Sequence, residues 1–217
     1  MKNEKPLILL GRGGYASLLL DILLEQGTEI LGFADKENAS LEFQGDWYGI
    51  PCLGTDENVL QYKPEEVTLV NGLGSVASTL ARQRVYEHFK QRGYYFRRVV
   101  HPFSYVSPRA VLGEGVHVLA GAVINIGAHV GENSIVNNRS AISHDCEIGA
   151  HVHIAPGCTL SGNVHVGDGC HIGAGATVVQ GISIGSNVLV GAGALVLKDV
   201  CDEVRVWGIP AKEMKAT

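Results

Sequence analysis

The sequence is short of charge, of basic clusters, of paired cysteines and of long apolar runs, and each shortage removes a class of function. Charged residues make up 18% of the 217 positions and leave a formal net charge of −5 with no dense basic cluster, so the electrostatic footprint of a nucleic-acid binder is missing. No apolar run approaches the length of a membrane span. The opening "MKNEKPLILLGRGG" turns to glycine too soon for a signal peptide. The five cysteines are odd in number and none forms a C-x-x-C pair, which argues against zinc-ribbon and thioredoxin-like sites and fits a reduced, cytoplasmic setting. What the chain has instead is 46% hydrophobic residues, enough for a core, and 28 glycines without a collagen-like period.

The second half carries an unbroken repeat. Every sixth residue from Val106 to Val196, sixteen in all, is Val, Ile or Leu. The position four residues later, from Ala110 to Val200, is always small or aliphatic, and glycine recurs just after the aliphatic position, as at Gly113, Gly131 and Gly149. A period of six fits neither a helix nor an alternating strand, and is the hexapeptide pattern of a parallel β-helix. Both columns are expected to point inward, with the glycines relieving the turns. Three hexads close a triangular coil, so sixteen predict about five coils, stacked at roughly 4.8 Å. Cys146, Cys158 and Cys170 fall on the small inward column and are expected to be core fillers.

The first half reads as α/β. A buried strand at Leu7–Leu10, a glycine loop, a helix with one apolar face and a second strand ending at Asp35 fit G-x-G-x-x-A (Gly11, Gly13, Ala16) with an acidic residue about twenty positions on. Bare amides at a helix N-terminus accept phosphate, and the carboxylate accepts hydroxyl hydrogen bonds. A third strand at Val67–Asn71, a helix over Ser75–Gln91 and a fourth strand near Tyr94–Val100 complete about one mononucleotide-binding half. That size fits a nucleotide diphosphate-sugar better than NAD; a purely structural glycine turn is the third reading. The expected domains are 1–100, a linker at 101–105, the repeat at 106–200 and a tail at 201–217.

"GRGGYA", "GFADK" and "VNGLG", followed by a hexapeptide prism containing "NNRSAISHDCEIG" and a terminal "VWGIPAK", resemble the sialic acid O-acyltransferase-like family of hexapeptide acyltransferases. Within it the chain is most similar to N-acetyltransferases of nucleotide-linked 4-amino-4,6-dideoxy sugars, of the bacillosamine and perosamine type. The resemblance implies a Rossmann-like nucleotide-sugar-binding domain followed by a left-handed β-helix, acetyl-CoA as donor without a metal, and a homotrimer. The implied acceptor is the 4-amino group of such a sugar, UDP-linked by preference, in glycan or surface polysaccharide synthesis; O-acetylation of a sugar hydroxyl, as for sialic acid, is the alternative. It further implies His144 as catalytic base with Asp145, and Asn137 beside the sugar. His153, Gly162, Ala174 and Ala192 are implied as acetyl-CoA contacts, and Gly13, Gly14, Tyr15, Asp35, Lys36 and Gly72 as nucleotide-sugar contacts. Gly13, Tyr15 and Lys36 depart from the residues frequent there, which bears on sugar or base preference. A sugar-nucleotide-binding trimer without catalysis is a third hypothesis.

Spacing separates the histidines. Residues eighteen apart stack, so His117, His153 and His171 share one column, and His129, Glu147 and His165 another. The γ-type carbonic anhydrase pattern, a histidine pair five residues apart, does not occur after position 101, and imidazoles stacked on a flat wall run parallel rather than converging on a metal. His117, His129, His151, His165 and His171 are expected to be solvated. His144, followed by a carboxylate in a wall otherwise poor in charge, suits general-base work. It stands half a coil from His153, so the two can serve one site only if it forms between subunits.

Overall fold

The computed structural model describes residues 5–35 and 47–214. Two units emerge: Met1–Gly74 with Arg84–Val99, and Ser75–Gln83 with Val100–Thr217. Among the described residues no helix is long and apolar enough to cross a membrane.

In the first unit, β1 (Leu7–Leu10), β2 (Ile30–Ala34) and β3 (Thr68–Asn71) form a parallel sheet in the order β2-β1-β3. The central β1 is buried at all four positions, which is why its run is apolar without alternation. Helix α1 (Gly14–Glu25) buries Ala16, Leu19, Leu20, Ile22 and Leu23. A short helix α2 (Asp56–Val59) is held by reciprocal Thr55–Asn58 capping, and the sequence reading does not anticipate it. Helix α3 (Leu80–Lys90) places Val85, Tyr86 and Phe89 in the core with Leu69, Tyr94 and Phe96.

Two expectations change here. Helix α3 begins at Leu80, not Ser75, because Ala77 has φ +61°, which no α-helical residue adopts. The fourth strand is split: Phe96 makes one isolated parallel bridge to Leu69, and Val99–Val100 instead opens a solenoid sheet. Arg97 and the exposed Arg98 interrupt the apolar run that a doubly covered strand needs.

The second unit is a left-handed β-helix of hexapeptide repeats, about six turns tall. It has three faces of parallel two-residue strands. Face one includes His117–Val118, Ile135–Val136, His153–Ile154 and His171–Ile172; face two includes Ala141–Ile142 and Thr159–Leu160; face three includes His129–Val130, Glu147–Ile148 and His165–Val166. Partners lie eighteen residues apart, as in Ile135↔His153↔His171. The extra turn over the expected five comes from strands at both ends, Val99–Val100 and Arg205–Trp207, that lie outside the hexad count.

The aliphatic columns fill the interior as expected, and the thiols of Cys146, Cys158 and Cys170 donate to carbonyls of Ser161, Gly173 and Gly185 at 3.1, 3.1 and 2.9 Å. Burial raises all three pKa values, those of Cys158 and Cys170 to about 11, so these are fillers and not nucleophiles. The glycine column does a different job from the one expected. Left-handed φ values of 55–75° recur at every sixth residue from Gly115 to Gly193, two positions after the glycines singled out from the repeat, and Asn133, Asp145, His151 and Asn163 adopt them too. Gly113, Gly131 and Gly149 are needed for close approach: a Cβ there would sit 2.3–2.5 Å from the next coil.

Candidate active site

In the first unit, a cavity of about 460 Å³ opens where β1 gives way to α1. The glycine loop from Gly11 to Tyr15, Asp35 at the end of β2, and Gly72 after β3 all line it. Each glycine has a separate reason. Gly11 has φ +91°; Gly13 caps α1 in extended conformation with no atom within 4 Å of a would-be Cβ, leaving its amide approachable; at Gly72 a Cβ would lie 2.6 Å from the Leu10 carbonyl and 2.9 Å from Ala16. Two charged liners escaped the sequence reading. Arg12 Nε lies 3.8 Å from Asp35 Oδ2, adding a cation beside the loop amides, and Asp56 enters from α2. The arginine sits inside the quoted glycine motif, so the motif itself held that signal. Lys36, expected here, lies outside the described residues.

In the second unit, His144 and Asp145 occupy the corner between face two and face three, both more than half exposed. The left-handed backbone of Asp145, φ +58°, turns its side chain back: Oδ2 lies 2.8 Å from His144 Nδ1. Nδ1–H donates to the carboxylate, which leaves Nε2 as the lone-pair nitrogen. One coil further on, Gly162 lies under the ring. A Cβ there would stand 2.5 Å from both Cε1 and Nε2 of His144, so only glycine leaves the imidazole its place.

Face one is different. The sequence reading puts His117, His151 and His171 in solvent; instead His117 is fully buried, His151 is buried with Nδ1 2.9 Å from Asn133 Nδ2, and His171 is largely covered. The segment Ser75–Gln83 covers this face. Thr79 donates to the Gly169 carbonyl at 3.1 Å, Arg82 donates to the Asn133 carbonyl at 3.0 Å and reaches His117 Nδ1 at 3.4 Å, and Ser75 Oγ contacts His153 Nδ1. No repeat position announces this cover, which is why spacing alone misses it. His129 and His165 are exposed as expected, with His129 3.3 Å from Glu147.

His153 is 6% exposed, with Asn137 Nδ2 3.1 Å from its Nε2. Desolvation, and then the neighbouring His171 and Arg82, lower its pKa to about 3, so it stays neutral. Ala174 and Ala192 stack as exposed turn residues at the corner between face one and face two. The fold thus joins His144, Asp145 and Gly162, and separately Asn137 and His153. Within one chain the His144 corner is the one opposite face one. Among the described residues no group of three or more His, Cys, Asp or Glu could hold a metal.

Comparison with known proteins comes down on one family. Residues 6–89 match the PglD N-terminal domain, and residues 127–162 and 163–198 match the bacterial transferase hexapeptide repeats. No curated protein matches the chain significantly by sequence. Among solved structures, a histidine-to-asparagine variant of perosamine N-acetyltransferase from Caulobacter crescentus, in complex with CoA and GDP-perosamine, is 30% identical, with 97% of each chain covered and a TM-score of 0.88. The acetyltransferase domain of PglB from Neisseria gonorrhoeae, in complex with acetyl coenzyme A, is 32% identical over 98% of this chain and 100% of that one, with a TM-score of 0.86. The chain belongs to the bacterial hexapeptide transferases that carry a PglD N-terminal domain, the family of these two acetyltransferases.

Proposed function

We propose that this chain is an acetyl-CoA-dependent N-acetyltransferase whose acceptor is the amino group of a nucleotide-linked amino sugar. The observation that carries the reading is the exposed His144–Asp145 pair, with Nε2 left as proton acceptor above Gly162. In this reading the sugar amine attacks the thioester carbonyl, His144 Nε2 takes the amine proton, and Asp145 stabilises the imidazolium that forms. The C–S bond breaks and CoA leaves as a thiolate that can take up that proton. The Gly162 amide is the candidate donor to the developing oxyanion. The thioester is already activated, so no covalent enzyme intermediate is required.

The nucleotide diphosphate would lie on the loop amides of Gly13 and Gly14 with Arg12 nearby, and the ribose hydroxyls against Asp35. The finer assignments follow the family resemblance: a 4-amino-4,6-dideoxy sugar, UDP as nucleotide, Asn137 beside the sugar, His153, Ala174 and Ala192 towards acetyl-CoA, and a homotrimer. N-transfer is preferred to sialic acid O-transfer because free sialic acid offers no diphosphate to the glycine loop.

The test is His144→Ala. Binding of acetyl-CoA and of a UDP- or GDP-amino sugar, read by thermal shift, should persist while the transfer rate falls by about 10²–10⁴. Transfer within a few-fold of the native rate would remove His144 as base. A CMP-sialic acid shift without a UDP- or GDP-sugar shift would favour the O-transfer alternative.

A further inference from the structure

Ser75 stands outside the hexapeptide repeat, yet its hydroxyl meets a buried imidazole, His153, whose other ring nitrogen is held by Asn137. The hydrogen bonds around that imidazole can be directed one at a time. The backbone N–H of Asn138 can only donate, and it lies 2.8 Å from Asn137 Oδ1, so the oxygen of the Asn137 amide is identified without ambiguity. Its nitrogen, Nδ2, therefore faces His153 Nε2 at 3.1 Å and donates to it. Nε2 must carry a lone pair, the proton of the neutral ring must sit on Nδ1, and Nδ1–H must donate to Ser75 Oγ at 2.5 Å. Either alternative, an Nε2–H tautomer or an imidazolium, would set two donors against each other at Asn137.

We infer that Ser75 is a positioning residue: by accepting from Nδ1–H it holds His153 in the tautomer that the Asn137 amide requires, and so steadies the ring against that amide. The four groups form a one-way chain, Asn138 N–H to Asn137, Asn137 to His153, His153 to Ser75, and Ser75 is its terminal acceptor. Burial of His153 and its lowered pKa are consistent with a ring that never carries charge. The Asn137 amide keeps one N–H and one carbonyl lone pair beyond this chain, in a fixed direction. On the acetyltransferase reading, on which the catalytic consequence rests, those groups meet the acceptor sugar, and His153 acts through Asn137 and not as an acid or base.

The experiment separates the hydrogen-bond chain from the reaction. Protein labelled with ¹⁵N at histidine should show His153 protonated at Nδ1 and bare at Nε2, insensitive to pH between 7 and 5. Ser75→Ala should move a measurable fraction of the proton to Nε2 and lower kcat about tenfold, the loss of one hydrogen bond's worth of orientation, with acetyl-CoA binding retained. Ser75→Thr, which keeps the hydroxyl, should restore both. A native His153 protonated at Nε2 would overturn the proposal, as would a tautomer unmoved by Ser75→Ala. Should Ser75→Ala fold poorly, the native spectrum and Ser75→Thr still decide. If the tautomer behaves as stated but the native protein acetylates no nucleotide-linked amino sugar, the acetyltransferase reading fails and the chain stands.

Discussion

His144 and His153 sit nine residues apart in one repeat, yet they live in opposite chemistries. His144 is on an open corner, backed by a carboxylate and floored by a glycine. His153 is on a face covered by Ser75–Gln83, with both ring nitrogens occupied and its charge suppressed. The hexad register decides which wall a histidine stands on. What decides whether it can trade protons is the cover, and the cover comes from outside the repeat. The same contrast runs through His129 and His165, exposed on face three, and His117, fully buried on face one beside Arg82.

The sharpest way to break the contrast is to spoil the open corner without touching its acid–base groups. Gly162 has ordinary negative-φ backbone, so alanine is allowed conformationally, but its Cβ would stand 2.5 Å from two ring atoms of His144. The ring must swing away from Asp145. Because a displacement of about 1 Å can cost 10²-fold, Gly162→Ala should lower kcat by about 10- to 100-fold while the melting temperature barely moves. Steady-state kinetics beside a thermal melt check this, and an unchanged kcat would mean the imidazole needs no fixed seat.

A second test asks whether the two histidines, apart in one chain, meet in an assembly. If each site takes His144 from one subunit of a trimer and His153 from the next, inactive His144→Ala and His153→Ala chains should complement when refolded together. Random equal mixing leaves both histidines native in about a quarter of sites, so activity should return to about one quarter of the native value. No recovery in a trimer verified to be mixed would confine the site to one chain, and a monomeric protein would remove the premise.

The architecture is legible in the sequence because a period of six leaves no other packing: the aliphatic columns, the inward cysteines and the eighteen-residue stacking of His153 on His171 follow from it directly. The glycine loop is legible for a different reason: Gly11 and Gly72 are demanded by φ and by close approach. What spacing could not reveal is contact between parts of the chain with different periods. Ser75, Thr79 and Arg82 lie in a stretch that reads as helix, and only the left-handed Ala77 diverts it over face one. The contacts of Arg82 with His117 and of Ser75 with His153 follow from that diversion. The Asp145 contact had a local cause, a left-handed turn that the repeat imposes on whichever residue falls there.

The smallest expected effect tests the covered face by its pH dependence. His153 has a folded pKa lowered to about 3 from 6.5, and that of His117 is also lowered, by burial and then by Arg82. A histidine depressed in the folded state stays neutral there while the unfolded chain takes up a proton below about pH 6.5. Its contribution to stability is therefore complete above that pH and is lost as pH falls towards the folded value, at about 1.4 kcal/mol per pH unit per group. Replacing His153 by glutamine keeps a neutral polar side chain and removes one such proton. His153→Gln should be less stable than the native protein at pH 7.5. Its unfolding free energy from urea melts should fall less steeply between pH 6 and pH 4.5, by about 1 kcal/mol per pH unit. Acidic groups titrate in both proteins, so their contribution cancels in the difference. Parallel pH profiles would mean that His153 takes up its proton in the folded state as readily as in the unfolded one, and the contrast between the covered face and the open corner would lose its electrostatic basis.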